Sequence, residues 1–140
     1  MRPWFAICSV VAVGVAGYSI GYAVAQEKAA SRVYELRTYT TLPGRLPALN
    51  KRFAEHTMKL FEKHGMRNEV YFTPIDDSRK DNTLIYIVSH ASREAAEQSW
   101  KNFSADPDWQ KARAESEKDG KIVEKVERVY MVPTDYSPRK

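Results

Sequence analysis

Cysteine is almost missing from this chain of 140 residues, since its only cysteine, Cys8, lies close to the N-terminus. A disulfide needs two cysteines, and thiolate zinc sites need more than one, so neither can hold the rest of the chain together. The same scarcity excludes thiol-based redox catalysis beyond that first segment. The fold must therefore be stabilised by its own hydrophobic core.

Several motifs with known chemistry are missing as well. The three histidines, His56, His64 and His90, form neither an H-x-x-x-H nor an H-x-x-E-H pattern, so we predict no metal site. The sequence contains no nucleophile elbow centred on serine and no glycine-rich loop of the phosphate-binding type. A haem needs only one histidine, but nothing in the sequence selects it, and we predict no cofactor.

Charge of one sign is not concentrated anywhere in the chain. The net charge is +4, and basic and acidic residues are interspersed, as in the segment from Glu115 to Lys121. No block of lysine and arginine with interleaved aromatic residues occurs, so we predict no nucleic-acid partner.

The beginning of the chain lacks charge almost entirely, because no charged residue occurs between Arg2 and Glu27. This apolar run ends in Ala23-Val24-Ala25, which is typical of the cleavage site of a secretory leader. We expect residues 1–25 to be a signal peptide and 26–31 a linker, so that the protein is exported to the periplasm or the medium. The alternative is an uncleaved membrane anchor, since about 20 apolar residues can span a bilayer. The membrane would then be contacted only through this segment.

The remaining residues predict one small α+β domain, 32–134, followed by a polar tail, 135–140. Runs of apolar, β-branched and aromatic residues predict strands over 33–40, 69–73, 83–90 and 122–132. Helical spacing of apolar residues predicts a helix over 45–64 that stops at Gly65, and Ser92 and Asp106 can begin two further helices. The order β-α-β-β-α-β is the ferredoxin-like plan.

One strand of this plan carries an unbroken apolar run, from Leu84 to Val88. Such a run predicts a strand that is buried on both faces. The crossover helices of a ferredoxin-like domain cover only one face of its sheet. We therefore predict a homodimer in which a second copy of the sheet covers the other face and encloses a barrel.

Three sequence pieces resemble the NIPSNAP family in their order and spacing. The run from Tyr34 to Tyr39, followed by Pro43-Gly44, resembles the opening of a NIPSNAP domain, and the run from Phe61 to Met66 resembles the end of its first helix. The strongest piece is Ser99-Trp100, Phe103 and then Asp106-Pro107-Asp108-Trp109. The resemblance implies a dimeric α/β barrel, a plan shared with small cofactor-free monooxygenases, isomerases and haem enzymes. It implies no established catalytic mechanism.

We expect the residues that carry this resemblance to be structural. His64 lies near a helix C-terminus, where a structural role is favoured, and Asp106 reads as a helix cap because Pro107 follows it. Aromatic residues at helical spacing are by default core residues. The motif residues expected to be structural are Tyr34, Gly65, Trp100, Phe103, Asp106, Pro107 and Trp109.

The first strand places Glu35, Arg37 and Tyr39 on one face, because strand side chains alternate. The opposite face is the more apolar one and is expected to meet the helices, which directs these three side chains into the dimer barrel. Arg37 can there bind a carboxylate or enolate, or it can pair with Glu35 and fix the sheet, and the pairing is favoured.

The barrel interior supplies our candidates for a ligand pocket. They are Glu35, Arg37, Tyr39, Tyr71, Tyr86 and His90. The favoured function is a module that binds a small apolar or acidic ligand or a protein partner. The alternative is a small cofactor-free enzyme of the monooxygenase or isomerase type, which needs an acid or a base with a perturbed pKa among these six residues.

Overall fold

The computed structural model of the protein describes residues 32–75 and 78–138. The predicted leader and linker, residues 1–31, lie outside the described residues, as do the last two residues of the predicted tail. Within the described part of the chain, no helix is long and apolar enough to cross a membrane.

The secondary structure follows the predicted order. The strands are β1 (Val33–Thr41), β2 (Arg67–Phe72), β3 (Thr83–His90) and β4 (Val123–Met131). The helices are α1 (Leu46–Arg52), α2 (Met58–Lys63), α3 (Arg93–Ala105) and α4 (Pro107–Ser116), and a π-helical turn (Phe53–Thr57) joins α1 to α2. The sheet is antiparallel with strand order β2-β3-β1-β4, which is the ferredoxin-like α+β arrangement.

The helix ends lie at residues that the sequence marks. Gly65 has a φ of 79°, a conformation that favours glycine, and the amide of Met66 donates to the Phe61 carbonyl at 3.0 Å. Ser92 and Asp106 are N-caps, and their side chains accept hydrogen bonds from backbone amides of the first turns of α3 and α4. The predicted stop and both predicted caps are confirmed.

The π-helical turn is a feature that periodicity did not predict. At the position where the apolar stripe of the helix would continue after Phe53, the chain has the buried residue Thr57. The Thr57 hydroxyl donates to the Arg52 carbonyl oxygen, five residues earlier, at 3.2 Å. This bond gives a hydrogen-bond donor to a backbone carbonyl oxygen at the start of the widened turn. Such turns are frequent at functional sites.

The hydrophobic core lies between the helices and one face of the sheet. In β3, Leu84, Tyr86 and Val88 are buried and face the helices, whereas Ile85 and Ile87 on the other face are half-buried. The run that we predicted to be buried on both faces is thus fully covered on one face only. The core cluster consists of Leu46, Leu49, Phe53, Leu60, Phe61, Met66, Leu84, Tyr86, Val88, Phe103 and Ile122.

The predicted orientation of β1 is wrong. Glu35, Arg37 and Tyr39 face the helices: Glu35 is fully buried and bonds to Trp100 of α3, and the Tyr39 ring contacts Phe53 at 5.9 Å. Polar residues are tolerated there because distant donors satisfy the Glu35 carboxylate. The more apolar set therefore lies on the open face of the sheet, away from the helices: Tyr34, Leu36 and Thr38.

Candidate ligand-binding site

The Glu35 carboxylate is the centre of a buried hydrogen-bond network. Its Oε1 accepts from Arg37 Nε at 2.8 Å, and its Oε2 accepts from Trp100 Nε1 at 2.6 Å. His90 Nε2 lies 3.0 Å from Oε2 and donates to it when that nitrogen carries its proton. Three elements, β1, β3 and α3, are joined through this one side chain.

This network keeps Glu35 ionised. Burial alone raises the pKa of the carboxyl group, but the His90 hydrogen bond, the Arg37 charge and the Trp100 hydrogen bond outweigh burial and lower the pKa to about 2. Arg37 is held as firmly: its Nη1 donates to the Tyr39 hydroxyl at 3.1 Å, and its guanidinium lies 3.7 Å from the Trp100 ring centroid. Glu35 and Arg37 form a closed pair.

Three tyrosines form a row beside this pair, on neighbouring strands. The rings of Tyr71 and Tyr86 are stacked at 5.2 Å, and Tyr39 contacts Tyr86 at 5.4 Å. Burial, first of all, raises the pKa of both the Tyr71 and the Tyr86 phenols. Both phenols therefore stay protonated at neutral pH, and the row acts as a packing surface under Phe53.

A cavity of about 440 Å³ opens between the helices and the β1–β4 side of the sheet. Val126 of β4 lines it and remains 44% exposed although it faces the helix side, so the cavity opens along this edge strand. The side chains that line it come from β1, β4, the π-helical turn, each of the four helices and the loop that follows α4. Its aromatic walls are formed by Tyr39, Phe53, Phe61, Trp100, Phe103 and Trp109.

The charged side chains of the cavity are predominantly cationic. Arg52 is 4% exposed, and its Nη1 donates to Ser116 Oγ at 3.2 Å and to Glu117 Oε1 at 3.3 Å. The other oxygen of Glu117 accepts from Arg113 at 3.3 Å, so two arginines share one carboxylate. The charged lining comprises the cations Arg37, Arg52, Arg113, Lys121 and Arg128 and the carboxylates Glu117 and Glu124.

The structure divides the predicted pocket residues between the cavity and the core. Arg37 and Tyr39 line the cavity, whereas four candidates lie outside its lining: Glu35, Tyr71, Tyr86 and His90. His90 is fully buried beside Glu35, and its Nδ1 has no hydrogen-bond partner among the described residues. The motif residues Trp100, Phe103 and Trp109 pack against the core as expected and line the cavity as well.

Sequence reasoning missed Arg52, Thr57 and Glu117. The polar Thr57 at a core-facing helix position was the one available signal, because a buried polar residue on an apolar stripe marks an interruption. Arg52 gave no signal, since an arginine on a helix is usually at the surface. Its burial depends on Ser116 and Glu117, which are 64 and 65 residues away in sequence.

The second cluster of polar residues is a structural staple between α2 and α4. Asp106 caps α4 by accepting from the Asp108 amide at 2.8 Å, and it also accepts from Lys63 at 2.8 Å. His64 Nε2 lies 2.6 Å from the same carboxylate and donates to it when that nitrogen carries its proton. The Lys63 and His64 hydrogen bonds hold the pKa of Asp106 well below its ordinary value. Residues 32–75 and 78–138 contain no group of three or more side chains that could hold a metal ion.

These features define a small ferredoxin-like α+β protein with an amphipathic cavity between its helices and its sheet. The chain belongs to the NIPSNAP family, whose model matches residues 34–138. The resemblance seen in the sequence is thereby confirmed. No sequence among curated proteins matches this chain.

Solved structures share this fold over most of the chain. A NIPSNAP family protein of unknown function from Agrobacterium tumefaciens is 23% identical with a TM-score of 0.66, covering 79% of this chain and 96% of that chain. An uncharacterized NIPSNAP-like domain protein from Burkholderia xenovorans is 16% identical with a TM-score of 0.66, covering 78% and 90%. The cofactor-independent oxygenase SnoaB from Streptomyces nogalater is 14% identical with a TM-score of 0.51, covering 79% and 100%. At these identities the comparisons establish the fold alone.

Proposed function

We propose that this protein is a small-molecule-binding domain whose ligand occupies the cavity between the helices and β4. The observation that carries the proposal is the cavity itself, about 440 Å³ with six aromatic side chains in its walls. Ligand pockets of this size are mostly apolar, with a few polar groups that fix orientation. The cavity supplies aromatic walls, and its polar groups include Arg52 and Thr57 together with the other charged side chains of the lining.

The buried ionisable groups favour binding over acid–base catalysis. A general base or acid works best when its pKa lies near the operating pH. The pKa of Glu35 is instead lowered to about 2, and the pKa values of Tyr71 and Tyr86 are raised above their ordinary value. These three groups are moved away from neutrality, and none of them lines the cavity. The likeness to SnoaB supports the shared fold and does not assign its reaction to this chain.

A neutral aromatic compound tests this proposal without invoking any charge. We expect naphthalene-2-carboxamide to bind the protein with a negative heat-capacity change in isothermal titration calorimetry, because apolar surface becomes buried. The Val126→Trp variant places a large ring at the cavity mouth and is expected to weaken binding at least tenfold, or about 1.4 kcal/mol. Lys125→Trp is the matched control, since the neighbouring side chain points to the opposite face of β4.

The cavity proposal fails if the amide does not bind, or if Val126→Trp and Lys125→Trp weaken binding equally. The second result would show that a bulky residue on either face of β4 disturbs binding, so that the effect of Val126→Trp could not be assigned to the cavity mouth.

We also propose that the open face of the sheet pairs with a second copy of the chain. An apolar row crosses all four strands there, because Val70 pairs with Ile87, Ile87 with Leu36, and Leu36 with Val129. The exposed face of an antiparallel sheet is normally polar. A two-fold axis brings the same surface of two copies together, and an apolar row is complementary to itself.

Two arginine substitutions on β4 test this dimer. Val129 is 54% exposed in the row, and Val129→Arg is expected to convert the dimer into a monomer, because it places a charge in the centre of the interface. Val126→Arg adds the same charge on the helix side and is expected to leave the dimer intact. Light scattering on the protein from Gln26 onward measures the mass. A monomeric wild type at micromolar concentration would contradict the proposal.

A further inference from the structure

The two buried arginines of the cavity differ in how well their charges are matched. Arg37 has its own carboxylate, Glu35, at 2.8 Å, and it also lies over the Trp100 ring. Arg52 also lies over a ring, that of Trp109, but at 5.2 Å, and it has only a share of Glu117, at 3.3 Å, because Glu117 also accepts from Arg113 and from the Ile122 amide. Charge-assisted hydrogen bonds between nitrogen and oxygen are normally about 2.7–2.9 Å long. The contact between Arg52 and Glu117 is therefore long and divided.

Arg52 also has an unused donor. The residue is only 4% exposed, and its Nε is buried and has no hydrogen-bond partner among the described residues. An unsatisfied buried donor on a charged group is costly, and its cost is recovered when an acceptor arrives. Arg52 is the last residue of α1, at the start of the π-helical turn, and it lines the cavity.

We propose that Arg52 anchors the carboxylate of a small acid with an aromatic or apolar body, an inference that rests on the proposed binding function. The planar guanidinium fork matches a carboxylate in a bidentate geometry. The aromatic walls accept the body of the same ligand, so that one site recognises both parts. The anchor is thus a different arginine from Arg37, whose charge Glu35 already balances.

The electrostatics of the site agree with this assignment. Burial lowers the pKa of the Arg52 guanidinium, and the nearby Glu117 only partly opposes that effect. The charged form of Arg52 therefore lacks sufficient negative charge in its surroundings, and a bound carboxylate supplies it. The lining as a whole has more cationic side chains than carboxylates, which favours an anionic ligand over a neutral one.

A pair of compounds with the same body isolates the contribution of the charge. Naphthalene-2-carboxylate and naphthalene-2-carboxamide differ only in the ionised group, and calorimetry gives the ratio of their dissociation constants. We expect wild-type protein to bind the carboxylate at least tenfold more tightly than the amide. Arg52→Met is expected to remove this preference, because it weakens binding of the carboxylate far more than binding of the amide.

Two further variants keep the test decisive. Arg52→Gln, which can still donate to Ser116, is expected to lose the preference in the same way and replaces the methionine variant if that one does not fold. Arg45→Met is the control. Arg45 also donates to Ser116, at its backbone carbonyl oxygen, but Arg45 does not line the cavity. It is expected to retain the full preference.

The outcomes separate this inference from the function on which it rests. If wild-type protein binds the two compounds equally, or if the preference survives in Arg52→Met and Arg52→Gln, Arg52 is not the anchor although the cavity still binds. If neither compound binds, the binding function itself is refuted.

Discussion

Arg37→Met is expected to lower the free energy of unfolding by about 3–5 kcal/mol, because it breaks a buried ion pair and leaves the Glu35 carboxylate without its cation. The remaining donors from His90 and Trp100 still bond Glu35, but they cannot replace the charge of Arg37. Urea denaturation followed by circular dichroism measures this loss. The total free energy of unfolding of a domain is of the order of 5–15 kcal/mol, so this loss is a large part of it.

A double-mutant cycle identifies the pair as the cause. Glu35→Gln alone leaves the Arg37 charge without its carboxylate. The double variant is expected to be more stable, by about 1–3 kcal/mol, than the sum of the two single losses predicts. Lys125 and Glu127 form the matched control: they are also two residues apart in a strand and bond at 2.8 Å, but both are more than half exposed. Lys125→Met is expected to cost less than about 1 kcal/mol. Additive losses at Glu35 and Arg37 would contradict the coupling.

The stability that Glu35 contributes is expected to decrease as the pH falls. The pKa of Glu35 is lowered from 4.5 to about 2 in the folded state. The stabilisation from this group is therefore complete above pH 4.5 and is lost as the pH falls towards 2, a change of the order of 3 kcal/mol. The stabilisation from Asp106 is also lost in acid. The difference in stability between wild type and Glu35→Gln therefore isolates the contribution of Glu35.

Trp100→Ala is expected to cost about 3–5 kcal/mol, which in a domain of this size lowers the unfolding midpoint by more than about 10 °C. The indole contacts Phe61 at 5.2 Å and Phe103 at 5.7 Å, and it donates the 2.6 Å hydrogen bond to Glu35. Truncation removes the packing and one of the three donors of the buried carboxylate. Thermal unfolding followed by circular dichroism measures the midpoint.

Trp100→Phe separates the two contributions, because phenylalanine keeps an aromatic ring but cannot donate to Glu35. It is expected to cost about 1–3 kcal/mol, the penalty for a buried acceptor that has lost a partner. In the Glu35→Gln background this cost should shrink, since the carboxylate is gone. An unchanged midpoint in Trp100→Ala would show that the indole serves the cavity rather than the fold.

The order of the elements could be predicted because it depends on local signals. Alternation marks the strands, Gly65 marks a helix end, and Ser92 and Asp106 mark two helix starts. Each cap bonds to a backbone amide only two or three residues further along the chain. The face of β1 could not be predicted in this way. A local rule places the charged set on the face away from the helices. Glu35 is instead buried beneath them, because its partners Trp100 and His90 lie 65 and 55 residues away.

The cavity is less accessible from sequence than the core. Arg37 and Tyr39 were predicted as pocket residues and do line it, but they reach it from the face opposite to the expected one. A cavity is space that side chains leave unfilled, and no residue type encodes that space. Arg52 illustrates the difficulty, because its burial depends on how α4 packs against α1.

The two outer strands of the sheet, β2 and β4, carry charge along their exposed backbones. A bare strand edge offers unpaired amides and carbonyls to any other strand, and this is a common route to aggregation. The edge strand β4 carries the charged residues Glu124, Lys125, Glu127 and Arg128. Its pairing register with β1 shifts near its first residues, beside Thr41. In β2 the register shifts between Asn68 and Val70, next to the charged Glu69. We therefore expect these two edges to disfavour the addition of further strands from other copies of the chain.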